Sequence, residues 1–351
     1  MKEIRQQKIL SYWLFIGVGM LMIQVLLGGI TRLTGSGLSI TEWKPIMGAW
    51  PPTSSAQWEA SFNAYKEIAQ YKYLNNHFTL ADFKFIFFWE WFHRLWARFM
   101  GLVFLMPFIF FIVKGYFKKK MIVPLVILFF LGALQGLIGW LMVSTGLNEE
   151  NLYVSHFALS IHFMSAMVLT VYTFWFALQL KIAHQKIDNA SIKKNTIFIT
   201  ALLSIQLIYG CFMAGLKAAS AAPTWPLING SFFPKPIFEN GLHDAFFDLI
   251  TIQLIHRMLA YFIFFIIIVW SIKARKISRD TVFVKMLKWP PILVLTQVIL
   301  GICSILTSTS AIRGQFGKFE WVALLHQLNG MLLLLSLISI IFITGKKVKS
   351  I

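Results

Sequence analysis

The chain has 351 residues, of which 58% are hydrophobic and 13% are charged, and its mean hydropathy is +0.70. A soluble domain of this length carries far more charge, so the composition predicts an all-α protein that crosses a membrane several times. The formal net charge is +18. We interpret this charge as a signal of membrane topology and of attraction to anionic lipid, and no feature of the sequence supports binding of nucleic acid.

Eight apolar stretches are long enough to span a membrane as helices. In chain order they cover residues 10–30, 83–113, 121–144, 152–180, 196–217, 245–272, 284–308 and 319–344. An even number places both termini on one side, and the loops on that side hold most of the basic residues, which identifies it as the cytoplasm. The first span lacks a small-residue cleavage site and is too long for a signal peptide. We therefore expect a multi-pass protein of a bacterial plasma membrane.

The sequence repeats itself once, four predicted spans at a time. Four short motifs recur in the same order: QVLLG at 24–28 and QLIYG at 206–210, EWFHR at 90–94 and QLIHR at 253–257, QGLIG at 135–139 and QVILG at 297–301, and ALSIH at 158–162 and VALLH at 322–326. The matches predict two pseudo-symmetric, parallel four-helix bundles over residues 1–194 and 195–351. The first copy carries an insertion in its long outer loop, residues 31–82.

Each predicted bundle contains two histidines within its spans: His93 and His162 in the first, and His256 and His326 in the second. All four are expected in the outer half of the bilayer, where an ionisable side chain is costly and usually functional. Two imidazoles on facing helices suit the axial positions of a haem iron. Zinc fits less well, because each bundle offers two ligands and no Cys or Asp cluster completes a tetrahedral shell. The alternative is four core histidines bonded to backbone carbonyls.

A longer motif carries a resemblance to a known family. The stretch GGITRLTGSGLSITEWKP at 28–45, the PP at 51–52 and EWFHR at 90–94 closely resemble haem A synthase, the membrane enzyme that oxidises haem O to haem A for cytochrome oxidase assembly. The resemblance covers nearly the whole chain. It implies that His256 and His326 bind a resident haem b, while His93 and His162 flank the substrate haem O. Cys211 and Cys303 both lie in predicted spans, so the chain resembles the branch that lacks a cysteine pair in an outer loop.

Several basic residues are candidate contacts for haem propionates. Arg94 and Arg257 directly follow a histidine, and a guanidinium group pairs with carboxylates through two hydrogen bonds. The alternative is that each arginine reaches lipid headgroups. Weaker candidates for contacts at the entrance or at a polar edge of the substrate are Arg98, Arg32, Trp43 and Lys44.

Glu90 distinguishes the first copy of the repeat from the second. It lies one helical turn before His93, where the second copy has the neutral Gln253. A carboxylate beside a haem edge can act as a general base or stabilise positive charge that develops on a ring methyl. We therefore predict Glu90 as the catalytic residue. The alternative is a structural ion pair between Glu90 and Arg94 or Arg98.

The resemblance implies an oxidoreductase that converts a ring methyl of haem O to a formyl group through a hydroxymethyl intermediate, with haem b as its cofactor. The resemblance also implies an electron acceptor, which the sequence does not identify. It makes a haem O synthase and cytochrome oxidase assembly factors the expected partners. A homo-oligomer is compatible with the resemblance. The residues alone leave two other functions open. One is a bis-His di-haem b-type electron-transfer cytochrome, although such proteins usually place their haems toward opposite membrane faces. The other is a haem transporter or chaperone, which only product analysis separates from an enzyme.

Overall fold

The structure is a computed structural model that describes residues 2–42, 47–148, 150–182, 185–235, 237–277, 279–311 and 314–346. In these ranges eight helices are long and apolar enough to cross a membrane, which confirms the predicted fold class and makes the chain a multi-pass membrane protein. We label them α1 (Lys2–Leu33), α2 (Leu80–Val113), α3 (Lys119–Ser144), α4 (His156–Ile182), α5 (Ala190–Gly215), α6 (Leu249–Ile277), α7 (Trp289–Thr307) and α8 (Lys318–Ile343).

The start of α6 differs from the predicted one, because a polar side chain begins this helix. The sequence predicts a sixth span from residue 245, whereas α6 begins at Leu249. A separate short helix, Asp244–Phe247, precedes it, and the backbone of Asp248 between the two is extended. The Oδ2 atom of Asp248 accepts a hydrogen bond from the Thr251 N–H at 2.7 Å. Asp248 therefore caps α6, and hydropathy alone does not reveal this break.

We call the loops between α1 and α2 and between α5 and α6 the outer loops, after their predicted side of the membrane. The described part of the first outer loop folds into a cap on α2. It contains a helix over Ser55–Lys66, whose first turn is closed by a reciprocal pair of hydrogen bonds between Ser54 and Gln57. Phe62 of this helix stacks on Phe83 of α2, with ring centroids 5.0 Å apart, and both side chains are buried. The inserted segment is thereby fixed to the outer end of α2 by aromatic packing.

The eight helices pack mostly within two sets of four. We call α1 to α4 the first helix set and α5 to α8 the second helix set. In the first set α1 packs against α2 and α4, and α3 packs against α4. In the second set α5 packs against α6 and α8, and α7 packs against α8. Three pairs join the sets, namely α1 with α8, α4 with α5 and α4 with α8. This packing agrees with two bundles; their pseudo-symmetric relation stays a prediction.

One helix pair differs between the sets. In the second set α6 also packs along α7, whereas the corresponding α2 and α3 do not pack closely in the parts of the chain that the structure describes. Phe104 of α2 and Phe129 of α3 still stack, with centroids 6.4 Å apart, near the ends that the short 114–118 connection joins. The first helix set therefore lacks close packing on the side where the second set is closed.

Candidate functional site

His93 lies against a glutamine and a glycine of the preceding helix. The amide nitrogen of Gln24 in α1 is 3.3 Å from Nδ1 and 3.2 Å from Nε2 of the imidazole, and it donates to the His93 carbonyl at 3.2 Å. One turn further along α1, a Cβ atom built on Gly28 would lie 3.2 Å from Cε1 of the same ring. The glutamine therefore contacts the imidazole, and the missing side chain of the glycine leaves room for it.

The same arrangement occurs at the other three histidines within the helices. The contacts of the amide nitrogens are 3.1 Å from Gln135 to Nδ1 of His162, 3.1 Å from Gln206 to Nδ1 of His256, and 3.2 Å from Gln297 to Nε2 of His326. Added Cβ atoms on the glycines four residues later would lie 2.8, 3.6 and 3.1 Å from Cε1 of the facing ring, at Gly139, Gly210 and Gly301 respectively. The repeated Gln-x-x-x-Gly motif thus forms a cradle for each histidine.

The glutamines are the residues that the sequence analysis missed. From the sequence, the Gln-x-x-x-Gly motif marks the repeat but does not by itself assign a role to the glutamine side chains. The recurrence of the Gln-x-x-x-Gly motif is the signal that could have revealed this role. Four spans carry Gln and Gly four residues apart, and therefore on one helix face, and each such span precedes one that contains a histidine. A polar amide in an apolar span needs a partner, so the histidine of the next helix was the candidate partner.

A second hydrogen bond fixes two of the four glutamines. Oε1 of Gln135 accepts from the Ser165 hydroxyl at 2.6 Å, and Oε1 of Gln297 accepts from the Asn329 amide at 2.6 Å. Ser165 and Asn329 each lie three residues after the histidine of their own helix. In contrast, Oε1 of Gln24 and of Gln206 is buried and has no hydrogen-bond partner among the described residues. These two oxygens have acceptor capacity to spare beside a histidine.

The histidines form two pairs, one in each helix set. His93 of α2 and His162 of α4 are close enough to interact electrostatically, and so are His256 of α6 and His326 of α8. Each pair therefore joins two helices of one set; that the pairs bind haem stays a prediction. In the described ranges no cluster of three or more His, Cys, Asp or Glu side chains could hold a metal ion.

The donor set of each pair fits a haem iron. Each pair offers two imidazoles on different helices, and neutral nitrogen ligands of this kind occupy both axial positions of b-type haems. The amide nitrogens of Gln24 and Gln206 lie against the rings of His93 and His256, and each amide keeps a buried oxygen without a partner among the described residues. In the second set the buried Nε of Arg257 also lacks a partner among the described residues. Unsatisfied buried polar atoms are uncommon in folded proteins, so these atoms support a site that binds a polar group.

Glu90 is engaged on both carboxylate oxygens. Oε2 accepts hydrogen bonds from the Ser39 hydroxyl at 2.7 Å and the Ile40 N–H at 2.9 Å, and Oε1 accepts from Nη2 of Arg94 at 2.6 Å. The residue is 2% exposed. Arg94 in turn donates to the carbonyls of Ile40 and Glu42 at 3.2 and 3.4 Å. The Glu90–Arg94 pair therefore fastens the start of the outer loop to α2, one turn before His93.

Gln253 and Arg257 make the matching connection in the second helix set. Nη2 of Arg257 donates to Oε1 of Gln253 at 2.7 Å and to the carbonyls of Ala222 and Thr224 at 3.2 and 2.8 Å. The amide of Gln253 donates to the Ala218 carbonyl at 2.9 Å. Both arginines thus hold the backbone of an outer loop. Contact with a haem propionate stays a prediction for each.

The outer loops explain why one copy has Glu and the other Gln. The loop over α2 presents two donors to Oε2 of Glu90, the Ser39 hydroxyl and the Ile40 N–H, while Arg94 donates to Oε1, so a side chain with acceptors at both ends suits this position. The loop over α6 presents the Ala218 carbonyl, an acceptor, so an amide that donates is required at Gln253. The sequence difference that we interpret as catalytic thus also has a structural cause.

The weaker candidates lie in different places. Arg32, at the end of α1, donates from Nη1 to the Ala214 carbonyl of α5 at 3.1 Å, and this hydrogen bond joins the two helix sets. Arg98 follows Arg94 by one turn on α2 and is half-buried, and the two guanidinium groups interact electrostatically. Trp43 and Lys44 lie outside the described residues.

Comparison with known proteins identifies the family. A family model described as "Cytochrome oxidase assembly protein" matches residues 11–338. The chain belongs to this family. The matched region contains all four helical histidines, their glutamines and both outer loops that the arginines hold.

Curated relatives carry a more specific name. The chain is similar to proteins named haem A synthase from Flavobacterium psychrophilum, at 36% identity over 94% of the chain and 96% of the relative, and from Novosphingobium aromaticivorans, at 38% identity over 92% and 91%. A haem A synthase from Brucella suis is 37% identical over 90% of the chain and 88% of the relative. These alignments cover nearly the whole chain and agree with the resemblance drawn from its motifs.

Proposed function

We propose that the chain is a haem A synthase, an oxidoreductase that converts a ring methyl of haem O to the formyl group of haem A. In formal terms, removal of two electrons and two protons with addition of one water gives a hydroxymethyl group. A second such oxidation gives the hydrate, which loses water to form the formyl group. Membership of the family and the name shared by relatives of almost equal length carry this proposal. The acceptor of the electrons is separate from this chain.

The first helix set is the proposed substrate site, with haem O between His93 and His162. An exchangeable substrate with a long farnesyl tail needs a path from the membrane to its site. The absence of close packing between the described parts of α2 and α3 supports such a path, because the equivalent helices α6 and α7 pack together in the second set. The helix Ser55–Lys66, which covers the outer end of α2, also lies in the loop of the first set.

The second helix set is the proposed site of a resident haem b, held by His256 and His326. A haem b in this place supplies one-electron redox chemistry. The residues of the chain orient the two ligands: Gln206 contacts the ring of His256, while Gln297, itself held by Asn329, contacts the ring of His326. Arg257 fixes the outer loop above this site and keeps a spare Nε donor for a polar group.

The role of Glu90 is proposed in two parts. Its three hydrogen bonds support a positioning role, in which it holds the outer loop and Arg94 above the substrate site. A direct role as a base or as a stabiliser of positive charge on the substrate stays a prediction. It requires that one carboxylate oxygen exchange a loop donor for the substrate.

The orientation in the membrane is also part of the proposal. The basic loops place both termini in the cytoplasm, so the histidine pairs and the capped loop lie toward the outer face of a bacterial plasma membrane. A haem O synthase and cytochrome oxidase assembly factors are the expected partners, since one must supply the substrate and the others must receive the product.

Analysis of bound haems tests this function. The chain is expressed with a haem O synthase and purified, and its haems are extracted and identified by mass. Haem b together with haem A or the hydroxymethyl intermediate is the expected result. Membranes with the haem O synthase alone are the control and should yield no haem A. Haem b at two per chain, with no oxidised product, would overturn the proposal and favour an electron-transfer cytochrome.

A further inference from the structure

A glutamine next to one histidine reaches across to the other helix set. Gln327 follows His326 in α8, and its amide nitrogen donates to the carbonyl of Val25 in α1 at 2.9 Å. Its side chain lies over Gly29, where an added Cβ would come within 2.7 Å of Oε1 of Gln327. Close approach of α8 to α1 at this point therefore depends on the glycine.

The contact falls directly beside the cradle of His93. Val25 follows Gln24, whose amide contacts the His93 ring, and Gly29 follows Gly28, which faces that ring. The two adjacent glycines thus serve different helix sets: Gly28 makes room for a histidine of the first set and Gly29 makes room for a glutamine of the second. One hydrogen bond, from Gln327 to the Val25 carbonyl, thus connects the residue after His326 with the residue after Gln24, whose amide contacts His93.

The equivalent place between α4 and α5 is built differently. There Cys211 follows Gly210, and Phe163 follows His162, so the positions that correspond to Gly29 and Gln327 hold a thiol and a phenyl ring. Neither of these side chains has the amide that makes the connection between α8 and α1. The amide link is therefore found, among the described residues, at one of the two places where a histidine helix of one set meets the first helix of the other; at the second place Cys211 of α5 interacts with Ser160 of α4.

We propose that Gln327 is a positioning residue that couples the two sites by holding the helix of His326 in register with the cradle of His93. This inference rests on the proposed function, because it assigns haem to both histidine pairs. A side-chain hydrogen bond between helices fixes the rotation of α8 about its axis, and that rotation sets where the imidazole of His326 points. A change in α1 at Gly29 must then alter a haem bound in the other helix set.

Two substitutions and a matched control test the coupling in the purified protein with its haems. Gln327→Met keeps a long unbranched side chain over Gly29 but removes the donor to Val25. Gly29→Ala acts from α1, because the added Cβ would come within 2.7 Å of Oε1 of Gln327 and displace that side chain. Gly19→Ala is the control in the same helix, since an added Cβ there meets no atom within 4 Å. The readouts are the electron paramagnetic resonance signal of the second-set haem, assigned by its loss in His256→Ala, and the rate at which haem b is lost to an excess of apomyoglobin.

Both test variants are expected to shift the second-set signal and to speed the loss of haem b by about tenfold, which corresponds to one hydrogen bond. Gly19→Ala should match the wild type. The double variant should lose haem b no faster than the single variants, because both act on one contact. Unchanged second-set signals and loss rates in Gln327→Met and Gly29→Ala would overturn the coupling while leaving the proposed function intact. Purified wild-type protein without low-spin haem would instead overturn the proposed function.

Discussion

The two helix sets hold their histidines alike and enclose them differently. In both sets each histidine rests on a Gln-x-x-x-Gly cradle, and in both an arginine one residue after the first histidine fastens an outer loop. The sets differ in how the other helices surround the histidines. In the second set α6 packs along α7, whereas the described parts of α2 and α3 do not pack closely. In the first set an aromatic cap also covers the outer end of α2. On the proposed assignment, ligation is duplicated, and the surroundings decide whether a bound haem stays or is exchanged.

The largest expected effect comes from removing one histidine of each pair. His256→Ala leaves the second site with a single ligand, so we expect complete loss of haem b and of haem A production. His93→Ala should abolish haem A production while haem b stays bound, because His93 belongs to the other pair. The haem-to-protein ratio and the mass of the extracted haems check both.

A surface histidine provides the control for this comparison. His77 lies in the exposed part of the outer loop, and His77→Ala should retain both the haem content and the product. If His93→Ala lost haem b and His256→Ala kept it, the assignment of the two sites would have to be reversed.

Exchanging Glu90 and Gln253 sharpens the comparison of the two loops. Glu90→Gln turns amide hydrogens toward the donors of Ser39 and Ile40, and a buried donor left unpaired costs about 1–3 kcal/mol, so the loop should loosen. Gln253→Glu places a carboxylate against the Ala218 carbonyl and should loosen the second loop. Hydrogen exchange of residues 34–42 and 216–224 is measured together with the yield of haem A.

The two readouts separate the roles proposed for Glu90. A positioning role predicts that haem A yield falls together with faster exchange of the first loop. Loss of haem A with an unchanged exchange rate would support direct action on the substrate. Full yield in Glu90→Gln would remove Glu90 from the mechanism.

A smaller effect is expected when a glutamine is removed. Gln24→Leu takes away the amide beside His93, and Gln206→Leu does the same at His256. Loss of a partner that orients a metal ligand typically lowers affinity 10–100-fold. We therefore expect weaker haem binding in the first set for Gln24→Leu and in the second set for Gln206→Leu, as measured by haem titration and by the midpoint potential. Weaker haem binding only in the helix set that does not contain the substituted glutamine would contradict the role of the cradle.

The sequence predicts the architecture far better than the site contacts. Hydropathy marks the eight spans because a span must be apolar over its whole length. The repeat pairs His93 with His162 because both belong to one copy of the four-helix unit. In contrast, the contact of Gln24 with His93 depends on how α1 is rotated against α2. The difference between Glu90 and Gln253 suggests catalysis until Ser39, Ile40 and Ala218 are seen beside them. Neighbours of this kind are distant in sequence and carry no periodic signal.

The smallest expected effect is a difference between Gly139 and Gly210, two glycines that each face a histidine ring in a cradle. A Cβ on Gly139 would lie 2.8 Å from Cε1 of His162, which is closer than real Cβ atoms come, so Gly139→Ala must displace the ring at a cost of about 1–3 kcal/mol. A Cβ on Gly210 would lie 3.6 Å from Cε1 of His256, an ordinary contact, and alanine gains about 1 kcal/mol of helix propensity. Gly210→Ala should therefore be neutral or stabilising, while Gly139→Ala weakens haem binding in the first set. Equal haem retention and equal thermal stability in the two variants would show that the cradles tolerate more than these distances allow.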